Sequence, residues 1–248
     1  PENLRKKPEQ IEIIKSWKAD IAVVVAFGQI LSQEFLDSFK FGAVNVHGSL
    51  LPLWRGAAPI QRSIAAGDRV TGVSLQKMVK KLDAGAVIGE RKVELNDEIT
   101  ATDLYLKLAQ LGCELINKEL LAYVNGEITP TEQDETQVTV APKIEKEESL
   151  IQWTEPARKI HNKIRAFTMG PGTYVMFQGK RLKIHRTKVL PFTGGTPSRV
   201  HLVSNNELVI ETSEGLLSLL DVQPESKSRL PIQEFLKSVT LKKGDLFV

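Results

Sequence analysis

Ala43-Val44-Asn45-Val46-His47-Gly48-Ser49-Leu50-Leu51-Pro52-Leu53-Trp54-Arg55-Gly56-Ala57-Ala58-Pro59 is the stretch on which the reading of this chain turns. It begins as an apolar alternation, the pattern of a buried strand, and then changes character. Asn45 and His47 are two apart, so an extended backbone projects both side chains from one face. Gly48 and Pro52 break the pattern into a loop. An amide and an imidazole where a strand ends are costly in a core unless something polar meets them. Further on, Leu82-Asp83-Ala84-Gly85 sets a carboxylate in another loop, just ahead of the apolar run Ala86-Val87-Ile88. The reading brings Asn45, His47 and Asp83 into one site.

Outward from that stretch, Asp20–Ala26 is a continuous apolar, β-branched run, the signature of a strand buried on both faces of a parallel sheet. Phe27–Leu31 ends it, and Ser32 caps a helix expected to reach Phe39. A helix over Ala57–Ala66 stops at Gly67-Asp68, and Val70–Leu75 and Ala86–Leu95 read as further strands. Thr100-Ala101-Thr102-Asp103 has the form of a capping box, opening a helix with Leu104, Leu108, Leu111, Leu115, Leu120 and Val124 at helical spacing. Alternating strands and helices predict an α/β, Rossmann-like domain with a parallel sheet over residues 1–126, ligands binding beyond the carboxyl ends of its strands.

Residues 127–142 are polar and aperiodic, a connection with a short strand near Gln137–Val140. Beyond it, a helix from Thr154-Glu155-Pro156 carries Ala157, Ile160, Ile164 and Phe167 on one face. Five short period-two segments follow (Tyr174–Phe177, Arg181–His185, Val200–Val203, Glu207–Glu211 and Leu216–Leu220), with turns at Gln178-Gly179-Lys180 and Ser204-Asn205-Asn206. Residues 143–248 are therefore expected to form a small OB-like β-barrel. The chain opens on Pro1 and a helix-like segment, Glu9–Trp17, whereas alternating β/α domains usually start on a strand; a preceding N-terminal piece is expected.

The composition, 42% hydrophobic and 25% charged, is that of a globular protein. No apolar run approaches the roughly 20 residues of a membrane span, and no signal peptide is visible, so a cytoplasmic location without membrane partners is expected. Cys113, the one cysteine, cannot make an internal disulfide and reads as a small core residue of a helix. Residues 1–141 hold 16 Lys+Arg against 19 Asp+Glu, and residues 142–248 hold 17 against 11. An acidic front and a basic back suggest two domains, the second drawn to a polyanion. The four histidines are scattered, without HExxH or CxxC, and no metal site is expected. Phosphate-cradling glycine motifs and a Gly-x-Ser-x-Gly elbow are absent. Spacing and composition alone leave an α/β enzyme or ligand-binding domain with its chemistry unspecified.

Asn45-Val46-His47-Gly48-Ser49-Leu50-Leu51-Pro52, followed by Trp54-Arg55-Gly56-Ala57-Ala58-Pro59-Ile60-Gln61, resembles the signature of the 10-formyltetrahydrofolate-dependent formyltransferases. Thr71-Gly72-Val73-Ser74 and Leu82-Asp83-Ala84-Gly85 resemble the second family block in order and separation. Ala141-Pro142-Lys143-Ile144, Ile151-Gln152-Trp153 and Ile164-Arg165-Ala166 are similar to the C-terminal domain of the branch that acts on methionyl-tRNA. Two departures stand out. The family's first strands and helices have no counterpart here, and Leu53 stands where a basic residue is common.

The resemblance implies transfer of a formyl group from 10-formyltetrahydrofolate to the α-amine of methionyl initiator tRNA, by a monomer needing no metal. An amine attacking a formyl carbon needs donors aimed at the carbonyl oxygen and a group that receives a proton. Asn45 and His47 would stabilise the oxygen, and Asp83 would orient His47 and accept the proton. The folate slot would draw on Phe27, Gln29, Ile30, Leu31, Ser49, Leu50, Leu51, Pro52 and Leu82. Trp54, Arg55, Lys143, Arg165, Lys180, Arg181, Lys183 and Arg186 would meet tRNA. The alternatives are a formyltransferase for a nucleotide-linked amino sugar, a hydrolase releasing formate, and an inactive folate- or RNA-binding fragment.

Overall fold

The structure, a computed structural model, describes residues 8–29 and 31–248. Its chain forms two compact units: residues 8–63, 69–95 and 103–143, and residues 64–68, 96–102 and 144–248.

In the first unit, helix α1 (Pro8–Ser16) leads to strand β1 (Ala22–Val25). Ala22 and Val24 pack with Ile14 against a cluster of Leu31, Phe35, Leu36, Phe39 and Ala43. The strand was expected to be buried on both faces, but Val23 and Val25 are 41% and 58% exposed. The correction has a plain cause: among the described residues, apolar cover lies on one face only. Ser32 caps helix α2 (Gln33–Leu36), its hydroxyl accepting from Phe35 N at 3.2 Å. The helix ends at Leu36, short of Phe39, where the Ser38 hydroxyl donates to Glu34 O at 2.7 Å and turns the backbone.

Strand β2 (Ala43–His47) runs parallel to β1, with Val25 opposite Val46, so both strands end at one edge. Beyond that pair the sheet is mixed. After β3 (Arg55–Gly56) and α3 (Pro59–Ala66), strand β4 (Val70–Lys77) is antiparallel to β2, and β5 (Val87–Glu94) is antiparallel to β4, in the order β1-β2-β4-β5. The short loop from β4 to β5 suits a hairpin, since a parallel return needs a crossover of a dozen or more residues.

Helix α4 (Ala101–Leu115) passes through a π turn at Ile116–Leu120 into α5 (Leu121–Val124). Its covered stripe is Ala101, Leu104, Leu108 and Leu115. Cys113 falls off that stripe and is exposed, correcting the expectation of a core residue. The π turn rotates the face beyond it, which leaves Leu121 67% exposed.

Residues 127–142, expected as a connection, are tied into the first unit. Thr131 exchanges backbone hydrogen bonds with Val87, and β6 (Val140–Ala141) pairs in parallel with β3.

In the second unit, helix α6 (Ala157–Ala166) buries Ala157, Ile160 and Ile164, with Phe167 next to it. Strands β7 (Tyr174–Phe177), β8 (Lys180–Leu190), β9 (Val200–Val203), β10 (Leu208–Glu211) and β11 (Leu216–Pro224) form an antiparallel sheet in the order β7-β8-β11-β10-β9. A short β12 (Leu230–Pro231) pairs with β11 and precedes α7 (Ile232–Leu236). The sheet curls as a half-barrel. At the first hairpin Gln178 and Gly179 have φ of +50° and +75°, as the right-handed twist of the flanking strands requires. Strand alternation sends Leu182 and Ile184 inward with Val175, Phe177, Leu208, Ile210, Leu217 and Leu219, and leaves Arg181 and Lys183 outside.

One buried histidine ties this unit together. His161 donates from Nε2 to Asp97 O at 2.9 Å, which leaves Nδ1 to accept from the Thr187 hydroxyl at 2.9 Å. Burial pushes its pKa below the ordinary 6.5, although Asp97 O opposes; Arg165 and Arg158 add to the lowering. His185 is lowered too, first by burial. The unfolded chain therefore takes up protons near pH 6.5 that the fold refuses, so stability is full above that value and falls as the pH drops below it. The melting temperature should fall between about pH 7 and pH 5.5, and H161Q should flatten that slope in thermal scans.

Candidate functional site

Register builds the polar face. Pairing of β2 with β4 sets Asn45 opposite Gln76 and His47 opposite Ser74, and opposed residues of an antiparallel pair share a face. His47 is buried. Its Nε2 lies 2.9 Å from Trp54 O, and because a carbonyl only accepts, the proton sits on Nε2. Nδ1 is then turned toward Asp83, 3.6 Å from Oδ2. The expected convergence of His47 and Asp83 is present, with Nδ1 as the nitrogen left for chemistry. The Asn45 amide has no hydrogen bond among the described residues and is half-buried.

Asp83 is held from several sides. Oδ1 accepts from Gln76 Nε2 at 3.0 Å and Oδ2 accepts from Gly56 N at 2.9 Å. Its backbone is left-handed, φ +47°, an uncommon state for a residue with a side chain. Gln133 Nε2 stabilises that turn, donating to Asp83 O at 2.8 Å and to Gly85 O at 2.7 Å. Gly85 is required because a Cβ there would collide with the Lys77 carbonyl. Gly56 is required too: its φ is +129°, and a Cβ would lie 2.7 Å from Ala141 O.

The loop after β2 is fixed by two serines. Ser49, buried, donates to Leu53 O at 2.5 Å. Ser74 Oγ donates to Ser49 O at 2.8 Å and accepts from Leu51 N at 3.1 Å. Leu51 is buried, while Leu50 and Pro52 are half-buried. Leu51 and Pro52 also face a cleft of about 390 Å³ whose other wall is Val87–Glu90 and Thr131–Asp134. Of the remaining residues expected at folate, Phe27 is 38% and Leu82 62% exposed, Gln29 is half-buried, and Leu31 packs inside the α2 cluster as core. Ile30 lies outside the described residues.

Two residues expected to meet tRNA are otherwise committed. Arg55 is buried, its Nε and Nη2 donating to Gln133 Oε1 at 3.0 and 2.8 Å, with Nη2 also 2.8 Å from Glu135 Oε1. Arg55, then Lys81, holds the Glu135 carboxyl down at about 2. Arg165 is buried as well, donating from Nη1 to Asn96 O and Ile99 O at 2.8 and 3.1 Å, and from Nε and Nη2 to Asn162 Oδ1. Arg55 is held by side chains of the 127–142 segment and Arg165 by backbone carbonyls of residues 96 and 99, so both are corrected from ligand-facing to structural. Trp54 is half-buried, with φ +59° and its N–H donating to Thr139 Oγ1 at 2.8 Å. Lys143, Lys180, Arg181, Lys183 and Arg186 are exposed. Arg181 lies over the Tyr174 ring at 4.7 Å, and Arg186 reaches Asp221 at 3.4 Å.

Gln76, Ser74 and Gln133 were missed by sequence reasoning. A signal existed for two of them: Ser74 and Gln76 alternate with Val73 and Leu75, repeating the period-two polar spacing of Asn45 and His47. Gln133 sits in an aperiodic segment and carried none. Among the described residues no group of three or more His, Cys, Asp or Glu could hold a metal ion, and no helix is long and apolar enough to cross a membrane.

Residues 2–120 match the family described as formyl transferase, and residues 143–240 match the formyl transferase C-terminal domain. A methionyl-tRNA formyltransferase of Bdellovibrio bacteriovorus is 54% identical over 99% of this chain and 78% of its own length. Among solved structures, HypX from Aquifex aeolicus in complex with tetrahydrofolic acid superposes with a TM-score of 0.69 at 21% identity, over 96% of this chain and 44% of that one. A methionyl-tRNA formyltransferase from Clostridium thermocellum gives a TM-score of 0.59 at 22% identity, over 75% of this chain and 78% of that one. Those two share the fold. This chain, matched by these two family models over residues 2–120 and 143–240 and 54% identical over 99% of its length to one relative, belongs to the formyl transferase family.

Proposed function

We propose that this chain transfers a formyl group from 10-formyltetrahydrofolate to the α-amino group of methionyl initiator tRNA. The observation that carries the reading is the 54% identity, over 99% of the chain, to a methionyl-tRNA formyltransferase. Tetrahydrofolate derivatives are the one-carbon carriers of the family. The residues present fit such a donor. The Asn45 amide has no hydrogen-bond partner among the described residues, and Phe27 and Leu82 offer exposed apolar surface.

The donor supplies an electrophilic formyl carbon, and this chain's residues do the rest. Asn45 donates to the formyl oxygen, where negative charge develops as the amine attacks. His47, fixed through Nε2 by Trp54 O, keeps Nδ1 turned to Asp83 Oδ2, so the imidazole and the carboxylate act as one pair beside the reacting groups. Asp83, beside Nδ1, receives the amine's proton, directly or through water. That proton is passed to the donor's nitrogen as its bond to the formyl carbon breaks and tetrahydrofolate leaves. Oδ1 and Oδ2 each hold one donor already, so the carboxylate keeps its lone pairs aimed as the reaction runs.

The exposed cations Lys143, Lys180, Arg181, Lys183 and Arg186 are the tRNA-binding groups of this reading, acting on phosphates whose neutralisation releases counterions. Replacing Lys180, Arg181, Lys183 and Arg186 together by alanine should weaken tRNA binding. The salt slope of log K should fall by about one for each phosphate left without its cation. A filter-binding titration across salt concentrations measures both.

The deciding experiment incubates the chain with methionyl initiator tRNA and 10-formyltetrahydrofolate and quantifies formylmethionyl-tRNA. Formylation of this tRNA supports the reading. Formylation only of a nucleotide-linked amino sugar, or release of formate alone, overturns it.

A further inference from the structure

Gln76 is fully enclosed, yet only half of its amide is used. Nε2 donates to Asp83 Oδ1 at 3.0 Å, which fixes the orientation of the group, and Oε1 is left buried without a partner among the described residues. An orphaned buried acceptor is unfavourable, so it marks a place where a second donor belongs. The β2–β4 register names that donor. Asn45 stands directly opposite Gln76 on the same face, and its amide also lacks a hydrogen bond among the described residues. Opposed side chains of an antiparallel pair have Cβ atoms about 5 Å apart, within reach of one another's amides.

We propose that Gln76 is a positioning residue of the formyl-transfer site, joining Asn45 to Asp83 through a single side-chain amide. The structure does not contain an Asn45–Gln76 bond; when the formyl donor is bound, one Asn45 Nδ2 proton donates to Gln76 Oε1, which turns the other proton toward the formyl oxygen. Through the same planar amide, Gln76 Nε2 holds Asp83 facing His47 Nδ1. The two ends of the site are thereby set by one rigid group, and a displacement at either end moves the other. The inference rests on the proposed function for its kinetic consequence, but its structural content stands apart from turnover.

The test uses Q76L and Q76M, the second being an unbranched replacement of nearly the same length. In the ¹⁵N-labelled wild-type chain with bound 5-formyltetrahydrofolate, the two Asn45 side-chain amide protons should become inequivalent in exchange, one protected by Gln76. Both variants should lose that protection. Kinetically, both should lower kcat for formylation about 10- to 100-fold, the scale of a misplacement near 1 Å, with KM for the folate within about twofold. Combining Q76M with D83N should cost no more than D83N alone, because the two act as one unit.

Identical Asn45 amide exchange in wild type and both variants overturns the proposal. So does unchanged kcat, a loss confined to KM, or full additivity with D83N. A wild-type chain that makes no formylmethionyl-tRNA overturns the functional reading instead, and the exchange measurement still decides the role of Gln76.

Discussion

Replacing Asp83 by alanine should lower formylation of methionyl-tRNA by about 10²- to 10⁴-fold, the span attributed to a positioned acid–base group. The loss should fall on kcat, because no contact of Asp83 points to folate affinity; its oxygens meet Gln76, Gly56 and His47. Alanine also leaves the Gln76 and Gly56 N–H groups without their acceptor, a cost of about 1–3 kcal/mol for each buried donor. The variant should therefore unfold at a lower denaturant concentration, yet in one cooperative transition. Asparagine is no gentler a probe. Both carboxylate oxygens accept hydrogen bonds, so an amide must turn its own N–H₂ toward either Gln76 Nε2 or Gly56 N. Near-normal turnover of either variant in a single-turnover assay would remove Asp83 from the mechanism.

A second large effect is expected at a residue with no side chain. Gly85→Ala should destabilise the first unit by about 3 kcal/mol, as overpacking against an unyielding backbone does. The added methyl would meet the Lys77 carbonyl, which itself lies in β4, so neither partner is the free end of a flexible chain. Relief requires the loop to shift, and Asp83 moves with it. Denaturant unfolding reads the stability, and turnover measured well below the transition reads the displacement. A wild-type midpoint with wild-type turnover would show that the loop yields without cost.

Much of this was legible in residue order. The Asn45–His47 spacing, the break at Gly48 and the carboxylate of Leu82-Asp83-Ala84-Gly85 are local patterns, and local patterns survive into the fold. The period-two segments after residue 173 predicted the strands of the second unit, including the turn at Gln178-Gly179. What was not legible depends on neighbours that the sequence does not name. The direction of β4 and β5 follows from the length and path of their connections, whereas Asp20–Ala26 looked doubly buried because β-branched residues do not announce which face is covered. Arg55 and Arg165 looked like ligand-facing cations because charge is visible in a sequence and a buried acceptor is not. Cys113 misled for a related reason: helical spacing fixes a stripe only after its phase is known, and the covered stripe of α4 passes through Leu108 and Leu115 instead.

The dependence of the Asp83 turn on Gln133, and of Gly56 on Ala141, sets the order in which the molecule can be completed during synthesis. The ribosome delivers Asn45, His47 and Asp83 long before it delivers the strap that locks them. A nascent chain halted at Gly126 carries the three proposed reacting side chains with the Asp83 turn still unbraced, so on the proposed reading competence would come late in translation.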